Sequence, residues 1–180
     1  MDGSVYLSDA IRRFREAQGQ CERALDQVPF ERWSRRLDPE SNSLVTLVLH
    51  ISGNLRSRWT EFLTTDGEKP DRDRDSEFED PGSLSREALL ERWNAGWACL
   101  FAALEGLAER DLDRTVTIRS QPLTVVEAIN RQLAHYAYHA GQLVFLAKHL
   151  AAGSWRSLSV PRGGSAAYTV SLARKSNPGT

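Results

Sequence analysis

Between Thr124 and Gly153 one stripe runs through Ala128, Ile129, Leu133, His135, His139, Leu143, Leu146 and Leu150, mostly in steps of three and four. A segment of that length and period buries its stripe as an amphipathic helix packed against other elements. Thr124-Val125-Val126-Glu127 matches a capping box, in which threonine and glutamate side chains each satisfy a free backbone N–H of the first turn. Mid-helix lies His135-Tyr136-Ala137-Tyr138-His139-Ala140-Gly141-Gln142. Histidines at i and i+4 share one helix face, about 6 Å apart along the axis, so two imidazoles can reach one metal ion.

The same period appears three more times. Leu7, Ala10, Ile11, Phe14, Ala17, Cys21, Ala24, Leu25 and Val28 predict a first helix from Val5 to about Val28, closed by Pro29. Pro29 to Pro39 reads as a connection with Phe30, Trp33 and Leu37 as possible anchors. A second helix is expected from Ser43, capped by Asn42 or Ser43, to Thr64 or Thr65. Its stripe is Leu44, Leu47, Val48, Ile51, Leu55, Trp59, Phe62 and Leu63, with Arg56 and Arg58 solvated or ion-paired on the polar side. Ser85 caps a third, from Arg86 to about Glu109. Then the period changes: Arg114 to Arg119 alternates, Ser120-Gln121 can turn, and Pro122-Leu123-Thr124 leads out, predicting a short β-hairpin. The expected class is all-α, with four long helices and a short β-hairpin before the last.

A third histidine, His50, lies on the second helix among apolar residues. One histidine in an apolar helix is by itself an ordinary core residue; the i, i+4 pair with a partner on another helix makes His50, His135 and His139 candidate metal ligands. Asn54, one turn after His50, and Gln142, one turn after His139, are candidates to orient a ligand or water, or to hold a supporting hydrogen bond. Gly53, costing about 1 kcal/mol against alanine inside a helix, implies close approach by a neighbour or ligand. No Glu or Asp lies one turn from any of the three histidines, which argues against a metalloprotease. His149 is ten residues past His139, roughly 15 Å along the axis, and cannot share the ion.

Asp66 to Gly82 alternates charges, consistent with a solvated linker or a lid folding back toward His50. In the tail, Arg162, Gly163 and Gly164 could contact an anion or form a plain surface turn; the phosphate-loop pattern is absent. With 180 residues, one domain over 1–170 and a flexible tail over 171–180 are expected. A net charge of −1 gives no field for nucleic acid or membrane. The start lacks signal-peptide character, so a cytoplasmic location is expected. Cys21 and Cys99 have no motif spacing and read as isolated thiols.

Together these motifs resemble the DinB/YfiT-like metal-dependent superfamily and, within it, the DUF1572 family. The resemblance is carried by His50-Ile51-Ser52-Gly53-Asn54-Leu55-Arg56-Ser57-Arg58-Trp59, Phe62 to Pro70, Arg74-Asp75-Ser76-Glu77-Phe78, the His135 to Gln142 stretch and Ser159 to Ser165. It covers about residues 5 to 168. It implies a DinB-like four-helix bundle, often a homodimer, binding a divalent metal (zinc, nickel or iron) through His50, His135 and His139. Some relatives are thiol-dependent transferases using low-molecular-weight thiols.

Two functions follow. The first is a metal-dependent enzyme acting on a small molecule, with thiol transfer preferred by family analogy and hydrolysis second. The second is a non-catalytic protein whose metal ties two helices or binds a small ligand. A closed fourth protein ligand favours the second; open positions facing a cavity favour the first.

Overall fold

The computed structural model describes residues 2–79, 82 and 84–176, with side chains as far as 172. The chain is mostly helical: α1 (Gly3–Leu25), α2 (Leu44–Trp59), α3 (Arg86–Glu105), α4 (Val125–Ala151) and α5 (Ser165–Ser176), with a two-stranded sheet between α3 and α4. α1 packs on α4 and α3, and α2 packs on α3 and α4. Phe14, Trp59, Trp97 and Tyr136 meet where the first four helices converge, their rings 5.7–6.0 Å apart in edge-on and tilted contacts. No helix among the described residues is long and apolar enough to cross a membrane.

Caps explain most of the boundaries. The Asp2 carboxylate accepts from the N–H groups of Ser4 and Val5, so α1 starts earlier than its apolar period suggests. Ser43, Ser85 and Thr124 cap α2, α3 and α4, and the Thr124/Glu127 box forms as expected. α2 stops at Trp59, short of the expected Thr64 or Thr65. Thr60 is extended and Glu61 takes φ +48°, so Phe62 reaches the core from a turn. α3 ends at Glu105 because Gly106 closes it, and the following turn is held by Asp111 Oδ2 on the Ala108 N–H. Trp33 is fully buried and donates to the Val28 carbonyl, whereas Leu37 is exposed.

The hairpin pairs β1 (Thr115–Ile118) with β2 (Gln121–Thr124) in antiparallel register, Thr115 opposite Thr124 and Ile118 opposite Gln121. Its turn is Arg119-Ser120, one residue earlier than expected. Both take left-handed φ, near +56° and +60°, a conformation that usually calls for Asn-Gly. Asp66 supplies the compensation, accepting from the N–H groups of Arg119 and Ser120 at 2.9 and 2.7 Å. Burial opposes ionisation of Asp66, but N–H bonds from Glu68, Ser120 and Arg119 outweigh it and hold the carboxyl down to about 2. The chain after α2 is thereby fastened to the hairpin. At the other end, the tail carries α5, and the expected flexible stretch falls partly on 177–180, outside the described residues.

Candidate metal centre

The facing helices bring three imidazoles together. His50 Nε2 lies 3.4 Å from His135 Nε2, which lies 3.2 Å from His139 Nε2. All three ligand atoms fall within 4.8 Å of one another, and no other His, Cys, Asp or Glu among the described residues joins them. His50 and His139 are buried and His135 is partly open. His149 is exposed near the end of α4.

Burial, reinforced by the positive character of His139 and His50, pushes the His135 imidazole down to about 3. Burial and His50 push His139 down to about 4, with Gln142 opposing. Both rings are therefore neutral near pH 7, the state a metal ligand needs. His135 Nδ1 and His139 Nδ1 are buried with no geometrically sound hydrogen bond; Gln142 lies close enough to favour protonation of His139 without making one.

His50 is different. Its Nδ1 sits 2.8 Å from Glu77 Oε2, and Glu77 is gripped by Arg72 through Nε at 2.7 Å and Nη2 at 2.9 Å. Burial opposes ionisation of Glu77, but its hydrogen bonds with His50 and Arg72 hold its carboxyl below the usual carboxylate range. An ionised carboxylate only accepts, so Nδ1 of His50 carries a hydrogen, and Nε2 is the ring atom that faces the other two histidines. Carboxylate–histidine pairs of this kind orient metal ligands.

Glu77 is the site residue that sequence reasoning missed. It comes from the charged stretch after α2, which folds back over the helix as a strap. Two signals pointed toward it. One is Gly53: a Cβ there would collide with the Glu77 carboxylate, its Cδ only 2.9 Å away, so the mid-helix glycine makes room for Glu77. The other is the charge alternation, which is ion-paired and not merely solvated. Arg58 and Arg72 have side chains 6% and 5% exposed, both paired with Glu68, which also takes Arg119.

The remaining candidates lie elsewhere. Asn54 Oδ1 accepts from the Tyr136 hydroxyl at 3.0 Å, and the same hydroxyl accepts from Trp59 Nε1 at 3.2 Å, so Asn54 is engaged in the core. Arg162, Gly163 and Gly164 form an exposed turn, with Gly163 at φ +77° and the Gly164 N–H on the Pro161 carbonyl. Among the described residues no hydrogen bond or ion pair links that turn to the histidines. A cavity of about 740 Å³ between α2, α3 and the strap touches the cluster only through Glu77 and Arg72.

The donor set fits a divalent ion. With the hydrogen of each ring on Nδ1, three lone pairs converge at these separations and repel unless a cation lies among them. A tetrahedral ion with metal–nitrogen bonds of about 2.0–2.1 Å holds its ligand atoms about 3.3–3.4 Å apart, close to the 3.2 and 3.4 Å found here.

No curated protein matches the chain. The family model described as Protein of unknown function (DUF1572) matches residues 2–164, nearly the whole sequence, and the chain belongs to that family.

Proposed function

We propose that the protein is a metal-dependent enzyme of the DinB-like superfamily, built on its four-helix bundle, in which His50, His135 and His139 hold one zinc, nickel or iron(II) ion. The observation that carries this reading is the convergence of three Nε2 atoms at 3.2 and 3.4 Å without a fourth His, Cys, Asp or Glu among the described residues. When bound, a divalent ion with open positions supplies Lewis acidity that lowers the pKa of a water or thiol sharing it. The chain supplies the neutral imidazoles of His135 and His139, a hydrogen bond that fixes Nδ1 of His50, and burial of two of the three ligands. Among the described residues it supplies no carboxylate base within the cluster. A low-molecular-weight thiol, which ionises near pH 8.5 unaided, needs such a base less than water does. That favours thiol-dependent S-transfer over hydrolysis.

The second reading is a non-catalytic metal or small-ligand protein. Structural zinc sites are usually closed by a fourth protein ligand, often cysteine. Cys21 is buried in the core, its thiol pushed up to about 12 by burial, and Cys99 contacts Thr60, so neither closes the site. The enzyme reading includes a homodimer, supported by Phe145, an aromatic side chain of α4 that is 68% exposed.

The test is elemental analysis of the purified protein beside His135→Ala and His139→Ala. About one divalent ion per chain, lost in both variants with the helical fold intact, is expected. Wild-type protein that takes up neither zinc nor nickel on reloading sinks the proposal.

A further inference from the structure

We propose that Arg74, stacked on Phe78 beside the histidine cluster, is the recognition arm of the site and that its substrate is a small molecule carrying an anionic group. This rests on the metal-site reading above and adds a substrate class to it.

The 3-10 turn Asp75–Phe78 presents the pair. The Phe78 ring lies 4.9 Å from the His50 ring, and Arg74 Cζ lies 4.9 Å over the Phe78 ring. Arg36 donates to the Phe78 carbonyl at 3.1 Å and pins the turn from the other side. The strap's other nearby arginine is consumed: Arg72 is buried and clamps Glu77 and Glu68. Arg74 is 47% exposed, and its one carboxylate contact among the described residues is Asp75 at 3.5 Å, itself 93% exposed. Water and salt weaken such a pair, leaving the guanidinium available.

Stacking holds the planar fork in place, so little side-chain freedom is lost when it meets a carboxylate edge-on. On the other side, the Tyr138 ring is 5.0 Å from His139 and 65% exposed, offering an apolar wall. A ligand fitted to these groups has a metal-seeking atom at one end, an acidic group at the other and a carbon body between.

The test uses the full-length protein loaded with cobalt(II), titrated with 3-mercaptopropionate and with neutral 3-mercaptopropionamide, and read by sulfur-to-cobalt absorption. The acid is expected to bind about tenfold more tightly than the amide, as one charge-assisted contact allows. Arg74→Gln is expected to erase that preference at unchanged cobalt uptake, and Arg74→Lys to restore part of it. A mercapto-carboxylate can also chelate cobalt directly, so the decisive comparison is between wild type and Arg74→Gln. Cobalt uptake without an acid preference, without any thiol response, or with a preference surviving in Arg74→Gln overturns the proposal. Absence of cobalt uptake overturns the metal reading itself, a result distinct from the other three.

Discussion

Glu77 Oε2 lies 2.8 Å from Nδ1 of His50, joining a residue of the strap to a histidine of α2 across 27 positions of sequence. This contact makes the strap part of the candidate centre. Glu77→Gln keeps the shape but removes the charge that fixes the His50 tautomer. Losing such a partner typically costs about 10–100-fold in metal affinity. Competition with a chelating dye measures it; an unchanged zinc affinity would show that Glu77 serves only to pair Arg72.

Gly53→Ala separates two effects of opposite sign. Alanine in a helix interior is worth about 1 kcal/mol over glycine, so a free position would make the protein more stable. Here the new methyl displaces the Glu77 carboxylate, which is locked on one side by Arg72 and on the other by His50. The expected outcome is a lower zinc affinity with no gain in stability. A variant that is more stable and binds zinc normally removes Glu77 from the centre.

The depressed imidazoles of His135 and His139, at about 3 and about 4, set a pH dependence for the metal-free protein. Unfolded, both titrate near pH 6.5. Between those values the unfolded chain binds more protons, so stability is full above about pH 6.5 and declines as the pH falls toward about 3. The lowered carboxyl of Glu77 adds its own loss only below its ordinary value of 4.5. Urea midpoints are therefore expected to fall between about pH 6.5 and 4.5, and the double variant His135→Gln/His139→Gln to show a flatter profile there. Equal slopes for the two proteins refute the assignment.

The helices and the three histidines were legible because both signals are local. Apolar spacing marks α1 to α4, and i, i+4 spacing places His135 and His139 on one face. His50 followed from its apolar setting on α2. What was not legible is set by contacts far apart in sequence. The Arg119-Ser120 turn takes left-handed φ without glycine because Asp66, more than 50 residues earlier, accepts both N–H groups. Glu77 reads as one charge among many until the strap folds over Gly53. α5 lacks a strong apolar stripe, and Tyr168 and Leu172 on it stay exposed.

Asn54 illustrates the ambiguity of one-turn spacing, since position 54 could face the ion or the core. Its oxygen accepts from the Tyr136 hydroxyl, which in turn receives the Trp59 indole N–H, all three side chains being buried. Truncation in Asn54→Ala leaves the Tyr136 hydroxyl proton without an acceptor in a dry environment, a loss of about 1–3 kcal/mol. Because Tyr136 follows His135 directly, the nearby histidines give a sensitive control on whether the damage spreads. We expect a lower urea midpoint by that amount, with one metal ion per chain retained and its affinity within a few-fold of wild type. Tyr136→Phe is expected to cost a similar amount by stranding the Trp59 N–H and the Asn54 carbonyl. Loss of metal from Asn54→Ala with stability unchanged would instead place Asn54 among the groups that orient a ligand at the centre.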